Sequence, residues 1–370
     1  MRLHRWMALA LGAWFVLVGF TGSLLVWHAE LDRALNPQWF AEPSACVATD
    51  TPVSSSLAVF AHATPGATAT QVMAPAIPRA AYVVWEQPGV DGLRVQHFID
   101  PDCGAHLGQR KWGAARVDAA HVVPALYELH RSLLSGEVGH VVVGAAGLVF
   151  LGVALTGALT AWPRHATRAG WKRVLTLKRG ARPHRRYYDL HRATGMWSLA
   201  FLLLMCVSGA YLCFPKQGRA MVAAVFDTAP ATMRPLQSMP TTAPSLDALV
   251  RRAERLFPQA IWSRLQLPAD GTGTYDVRLL QAAEIRADTG DTRVRLDAAN
   301  RVVDLRDPLR APAGDTLISW LFPLHSGEAL GLPGRLAWTL LGLGPPLLFA
   351  TGTWLWWKRR RQQRRHANRH

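Results

Sequence analysis

Four blocks of this chain, roughly Trp6 to Trp27, Val138 to Trp162, Met196 to Phe214 and Leu336 to Trp357, each run for about 19 to 25 residues almost without charge. A soluble core helix rarely needs so long an apolar run, whereas a helix crossing a bilayer does. The reading is an α-helical membrane protein with four transmembrane helices. The first block follows a basic "MRLHR" and is weighed against a signal peptide. It is longer than an ordinary signal-peptide apolar segment and reaches "VWHAELDRALNP" without a small-x-small cleavage site, so it reads as a retained helix.

The chain carries a net charge of +16, and its placement decides the partner class. Residues 1–5, 163–190 and 358–370 hold 18 of the 41 Lys and Arg residues against one acid, Asp189; the rest has 23 bases and 24 acids. The excess sits beside membrane spans, which is the positive-inside pattern and not a nucleic-acid footprint. Both termini and the middle loop are expected in the cytoplasm. The expected order is 1–27 cytoplasmic N-terminus and first span, 28–137 outward domain, 138–162 second span, 163–190 basic loop, 191–214 third span, 215–333 second outward domain, 334–357 fourth span and 358–370 basic tail. Cys46 and Cys103 share the first outward segment, where an oxidising compartment would allow a disulfide, while Cys206 and Cys213 fall on one face of the third span and read as packing.

The chain also repeats itself. His4 precedes Gly22 of a Thr-Gly step by 18 residues, and His191 precedes Gly209 of a Ser-Gly step by 18. His130 lies nine residues before Gly139 and 27 before Gly157, again in Thr-Gly; His325 lies nine before Gly334 and 27 before Gly352. Tryptophan closes both of these spans, at Trp162 and Trp357. Two copies of one unit, each with two spans, enter the membrane in the same direction, so the expected architecture is a parallel two-fold repeat. The outward segments are expected to add small α+β domains. "SLDALVRRAERLFP" has helical periodicity with Ser245 as N-cap; "TYDVRLLQ", "TRVRLDAANRVVDLRD", "AYVVWEQ" and "LRVQHFIDPDCGAHLGQR" alternate as strands; Pro, Ala, Ser and Thr make residues 41–78 read as largely irregular.

Four matched histidines at two depths imply two sites. His4 and His191 belong to the cytoplasmic ends of the first and third spans, and His130 and His325 to the outer ends of the second and fourth. About 30 Å of hydrocarbon separates the levels. Each pair lacks a nearby carboxylate or cysteine to complete a zinc or copper centre, whereas a porphyrin supplies four nitrogens and asks only for axial ligands and an apolar slot. Two haem b groups follow, with both axial positions filled and therefore suited to electron relay. His140 and His28 rank lower, because their repeat partners are Arg335 and Pro215. Arg5, Arg131 and Arg192 adjoin the ligands, where propionate pairing and lipid-headgroup or topogenic roles both stand. Gly12, Gly22, Gly195 and Gly209 admit either a flat macrocycle or close helix packing. The hydroxyls of Thr21, Thr156, Ser208 and Thr351 are expected to bond their own helix backbone.

"HRWMALALGAWFVLVGFTGSLLVWHAELDRALNP", "LHRSLLSGEVGHVVVGAAGLVFLGVALTGALTAWP", "YDLHRATGMWSLAFLLLMCVSGAYLCFP" and "LHSGEALGLPGRLAWTLLGLGPPLLFATGTWLWW" resemble the PepSY-associated transmembrane family of bacterial inner-membrane proteins. The resemblance implies PepSY-like periplasmic domains, and some members are similar to dihaem reductases acting on ferric siderophores. It implies an oxidoreductase that delivers electrons to a periplasmic ferric siderophore or other ferric chelate, with His4, His130, His191 and His325 as ligands; ferrous iron then leaves its oxygen-rich chelator. No glycine-rich nucleotide or flavin loop is visible, so the electron donor (quinol, flavin or a reductase) is a partner of unknown identity. The competing reading is a non-enzymatic, membrane-anchored PepSY-type binding or regulatory module. Metal transport through the bundle would need polar residues at mid-membrane, of which these spans have few.

Overall fold

The computed structural model describes residues 2–40, 46, 47, 49–75, 80–229, 244–268 and 273–367. The chain divides into a helical unit, Met1–Trp27, Tyr127–Gly218 and Leu324–His370, and a sheet unit, His28–Leu126 and Arg219–Pro323.

Among the described residues of the helical unit, three elements are long and apolar enough to cross a membrane: Arg2–Leu25, Gly136–Ala161 and the 38-residue stretch Glu328–Arg365. The number rises to four if Pro183–Trp197 and Leu199–Cys213, bent by 55°, form one span. The third block was expected to be continuous, and its break has a local cause. Ser198 turns its hydroxyl back onto the Thr194 carbonyl at 2.8 Å, three residues after Gly195, a combination that loosens the helical ladder. The last block is likewise interrupted, between Gly331–Leu341 and Gly344–Ala367. Pro345 and Pro346 have no N–H to offer the carbonyls one turn earlier, so the ladder stops at Gly342 and Leu343. Gly342 uses the gap for close packing: a Cβ there would stand 2.2 Å from the Ser23 hydroxyl.

His130 and His325 do not lie on the spans themselves. They end two short helices, Val122–Ser132 and Ala313–Ser326. A tight corner follows each, with positive φ at both Gly136 (57°) and Gly331 (59°), where glycine carries no Cβ penalty. Gly139 and Gly334 then pass close to the preceding helix end: an added Cβ would lie 1.7 Å from the Ser132 carbonyl oxygen and 2.6 Å from that of Gly327.

The sheet unit corrects the expectation of two separate small domains. Its strands are β1 (Ala69–Met73), β2 (Tyr82–Glu86), β3 (Val95–Asp100), β4 (Ala105–Lys111), β5 (Ile261–Gln266), β6 (Thr274–Leu280), β7 (Thr292–Asp297) and β8 (Val302–Arg306). They form one antiparallel sheet in the order β4-β3-β2-β1-β5-β6-β7-β8. Strands β1–β4 and β5–β8 each form a four-stranded meander, and their edges join through Gln71↔Gln266, Val72↔Leu265 and Met73↔Arg264. Alternate residues fill one face: Val72, Val84, Ile99, Leu265, Val277, Leu279, Val294 and Leu296 are at most 1 % exposed and pack with helices Pro52–Ala63 and Leu246–Leu256.

Ser245 caps Leu246–Leu256 as expected, accepting from the Ala248 N–H. The helix Pro52–Ala63 and strand β1 fall within 41–78 and correct its reading as largely irregular; residues 41–45, 48 and 76–78 of that stretch lie outside the described residues. The helix has no cap of its own. Asp247, from the other half of the chain, accepts the Val53 and Ser54 N–H groups at 3.0 and 3.1 Å. Cys46 and Cys103 are joined in a disulfide. Asp32 is held by Arg110 through two 2.7 Å hydrogen bonds, anchoring helix His28–Leu35 to β4.

Candidate functional site: two histidine pairs

The structure brings together the histidines that share a depth. The rings of His4 and His191 have centres 6.4 Å apart, and those of His130 and His325 are 6.3 Å apart. Along Arg2–Leu25, His4 and the Thr21 that touches His130 are 17 residues apart, about 25 Å at 1.5 Å per residue. The pairs are therefore two sites at opposite ends of the helices.

Each histidine is seated by a hydroxyl and a glycine that neighbour one another on an adjacent helix. The Nδ1 of His130 lies 3.0 Å from the Thr21 hydroxyl, and that of His325 lies 2.9 Å from Ser208. His191 Nδ1 meets both the Thr351 hydroxyl at 3.0 Å and the Leu348 carbonyl at 3.1 Å. His4 Nδ1 meets the Val153 carbonyl at 3.0 Å, with the Thr156 hydroxyl further off at 3.5 Å. The four hydroxyls do bond their own backbone, as expected, donating to Leu17, Gly152, Leu204 and Leu347 at 2.6–2.8 Å. That donation has a consequence the sequence did not reveal. A hydroxyl whose proton is spent on a carbonyl can only accept, so each histidine carries its proton on Nδ1 and keeps the Nε2 lone pair free for a metal.

The glycines set the fit. A Cβ added at Gly157 would lie 3.0 Å from the Cε1 of His4, at Gly22 3.1 Å from that of His130, at Gly352 3.2 Å from that of His191 and at Gly209 3.4 Å from that of His325. Gly22 and Gly209 therefore pack against histidine rings. Gly12 and Gly195, by contrast, line a cavity of about 290 Å³ beside His4 and His191, whose other walls include Leu9, Phe15, Phe150, Val153 and Leu202.

The residues present fit a bis-histidine haem. Two imidazoles on opposite sides of one metal, with bonds of about 2.0–2.1 Å and ~1.1 Å from nitrogen to ring centre, have centres about 6.2–6.4 Å apart. Among the described residues no group of three or more His, Cys, Asp or Glu is placed to hold a metal ion. A metal at either pair thus needs equatorial ligands from outside the protein, which a porphyrin provides.

Arg5 lines the cavity, and its Nε is buried without a hydrogen-bond partner, as an anion-binding arginine would be before its anion arrives. Arg192 lines it too, but is tied to Asp189 at 2.9 Å and to the Val174 carbonyl at 3.2 Å, so much of its bonding capacity is spent locking two helices. Arg131 sits 3.6 Å from Glu128. Arg2 and Arg359, not singled out from the sequence, share the cavity lining. His140 places Nδ1 3.4 Å from the Arg131 carbonyl, and His28 opens a helix of the sheet unit; neither is a member of the two ring pairs.

A comparison with curated proteins finds no match. The description PepSY-associated TM region belongs to a family model that matches residues 1–359, and with its long apolar helices and its joined sheet this membrane protein belongs to that family.

Proposed function

We propose that this protein is a dihaem reductase of the bacterial inner membrane, with both termini cytoplasmic, that passes electrons outward to a periplasmic ferric siderophore or similar ferric chelate. The observation that carries the reading is the pair of ring separations, 6.4 Å for His4 and His191 and 6.3 Å for His130 and His325, each with Nδ1 committed to the protein. Haem b held between His4 and His191 and between His130 and His325 would supply reversible one-electron carriage. The chain's own part is to fix four imidazoles in one tautomer, to present Arg5 to an anionic substituent, and to keep water from the inner site with an apolar wall. The four-span, parallel two-fold repeat belongs to the same proposal; the matched corners at Gly136 and Gly331 and the matched seats of the histidines support it.

The rival, a membrane-anchored binding module without chemistry, accounts for the sheet unit but leaves four oriented imidazoles without a purpose. Reduced-minus-oxidised visible spectra and pyridine haemochrome quantitation of the detergent-purified protein separate the two. The expected result is two low-spin b haems per chain, with His130→Ala or His325→Ala abolishing reduction of a ferric chelate at the outer face. Protein that takes up no haem when expressed with ample haem, or a His325→Ala chain of undiminished activity, removes the reductase.

A further inference from the structure

The face of the sheet opposite the helices Pro52–Ala63 and Leu246–Leu256 carries a row of arginines. The strand register places Arg264 opposite Arg278, Arg278 opposite Arg293, and Arg293 opposite Arg306. Leu265, Val277, Leu279 and Val294, the strand neighbours of Arg264, Arg278 and Arg293, are fully buried on the helix side, so by alternation those three arginines share the other side, and the register sets Arg306 directly across from Arg293. With strands about 4.8 Å apart, the row is about 14 Å long.

Such a row opposes folding, because like charges directly across a sheet repel. The local acids do not cancel it. Asp291 reaches Arg293 at 3.0 Å and Arg306 at 3.3 Å, and Asp288 is engaged by Arg286 at 2.8 Å. Among the described residues, Arg264 and Arg278 have no carboxylate within ion-pair distance. Burial, then the charges of Arg293, Arg264 and Arg286, push the Arg278 guanidinium down to about 9; it stays cationic at neutral pH, but under strain from its neighbours. The Nε atoms of Arg264, Arg293 and Arg306 are buried without hydrogen-bond partners.

We propose that Arg264, Arg278, Arg293 and Arg306 form a binding site for a multiply charged, oxygen-rich anion, and that its ligand is an anionic ferric chelate, an identity that rests on the reductase reading above. Guanidinium forks suit catecholate and carboxylate oxygens, to which they donate paired hydrogen bonds. A neutral hydroxamate chelate offers no charge to offset the row. The site therefore selects among ferric chelates by charge.

The test uses gallium(III), which holds the same oxygen ligands but is not reduced, so binding is read without turnover. Equilibrium dialysis of the full-length protein is run with a trianionic hexadentate gallium tris-catecholate and with a neutral gallium tris-hydroxamate. The wild type is expected to bind the anion more tightly than the neutral chelate. Arg278→Gln should weaken anion binding about tenfold or more, as loss of a charge-assisted contact does, and leave the neutral chelate unaffected. Should that variant fail to fold, Arg264→Gln, at the end of the row, carries the same comparison. Equal binding of the anion by wild type and an Arg264→Gln, Arg278→Gln double variant overturns the proposal, as does a wild type that binds no anion. Haem content of the same samples separates the two ideas: charge-selective binding without haem keeps the anion site and removes the reductase. Two haems with unaltered anion binding in the variants do the reverse.

Discussion

The hydroxyl seats of the histidines are not equal, and the difference can be measured. His325 Nδ1 has the Ser208 hydroxyl at 2.9 Å as its hydrogen-bond partner, whereas His4 Nδ1 has the Val153 carbonyl at 3.0 Å and the Thr156 hydroxyl only at 3.5 Å. Ser208→Ala therefore strips the acceptor from a buried N–H and releases the tautomer, so that the proton can move to Nε2 and block the ligand. The expected penalty on the ligated state is about 1–2 kcal/mol, or roughly 5- to 30-fold in affinity. Thr156→Val removes a contact at the edge of hydrogen-bond range and leaves the carbonyl in place; about twofold or less is expected. Ser208→Thr keeps the acceptor and serves as the control.

On the proposed dihaem reading, haem transfer from the purified protein to excess apomyoglobin reads this directly, because two sites would release haem in two phases. Ser208→Ala should accelerate one phase by roughly 5- to 30-fold and spare the other, while Thr156→Val leaves both close to wild type. If Thr156→Val loosens haem as much as Ser208→Ala, the Nδ1 partners do not control the ligands, and the argument from tautomer to lone pair is wrong.

Two further outcomes concern the sheet unit. Asp247→Ala leaves the first turn of Pro52–Ala63 without its carboxylate cap and should cost about 1–2 kcal/mol, lowering the unfolding midpoint of the β-rich transition in calorimetry by about 2–8 °C, with Asp247→Asn losing less. Burial alone would raise the Asp315 carboxyl, yet hydrogen bonds from Arg219 at 2.6 Å and from the Ala229 N–H at 2.6 Å hold it below the usual carboxylate value. A depressed folded-state pKa contributes stability that is present above about pH 4 and lost as pH falls through the folded value. Wild type should thus lose more stability than Asp315→Asn on going from pH 5 to pH 3, and parallel acid limbs would contradict this.

What was legible in the sequence was whatever a single helix or strand encodes by itself. Apolar length marked the spans, alternation marked β2, β3, β4, β6, β7 and β8, and spacing alone paired His4 with His191 and His130 with His325. Apart from the local breaks at Ser198 and before Pro345, the misses involve partners distant in the chain. Strands β1 and β5 pair across some 190 residues, and that pairing has no local trace. The helix Pro52–Ala63 is rich in Ser, Ala and Val and takes its capping carboxylate from Asp247, so no capping side chain of its own announces it. The Thr-Gly and Ser-Gly steps were visible, but only packing shows that they carry the histidines, and the arginine row exists only once register is known.

The spacings of the repeat acquire a physical meaning from those seats. His4 rests on Thr156 and Gly157, and His130 on Thr21 and Gly22; His191 rests on Thr351 and Gly352, and His325 on Ser208 and Gly209. Every histidine is thus held by an apolar helix of its own half other than the one it stands on, while its ring partner comes from the opposite half. Antiparallel helices put the start of one beside the end of the other, so a seat must stand one full crossing from the histidine on its own strand of the hairpin. Eighteen residues from His4 to Gly22 make about 27 Å, close to the thickness of a bilayer's hydrocarbon core. A half-chain therefore contains two finished seats and no finished pair. On the duplicated architecture proposed here, the metal-binding geometry belongs to the association of the halves, and the orientation of each ligand belongs to the half itself.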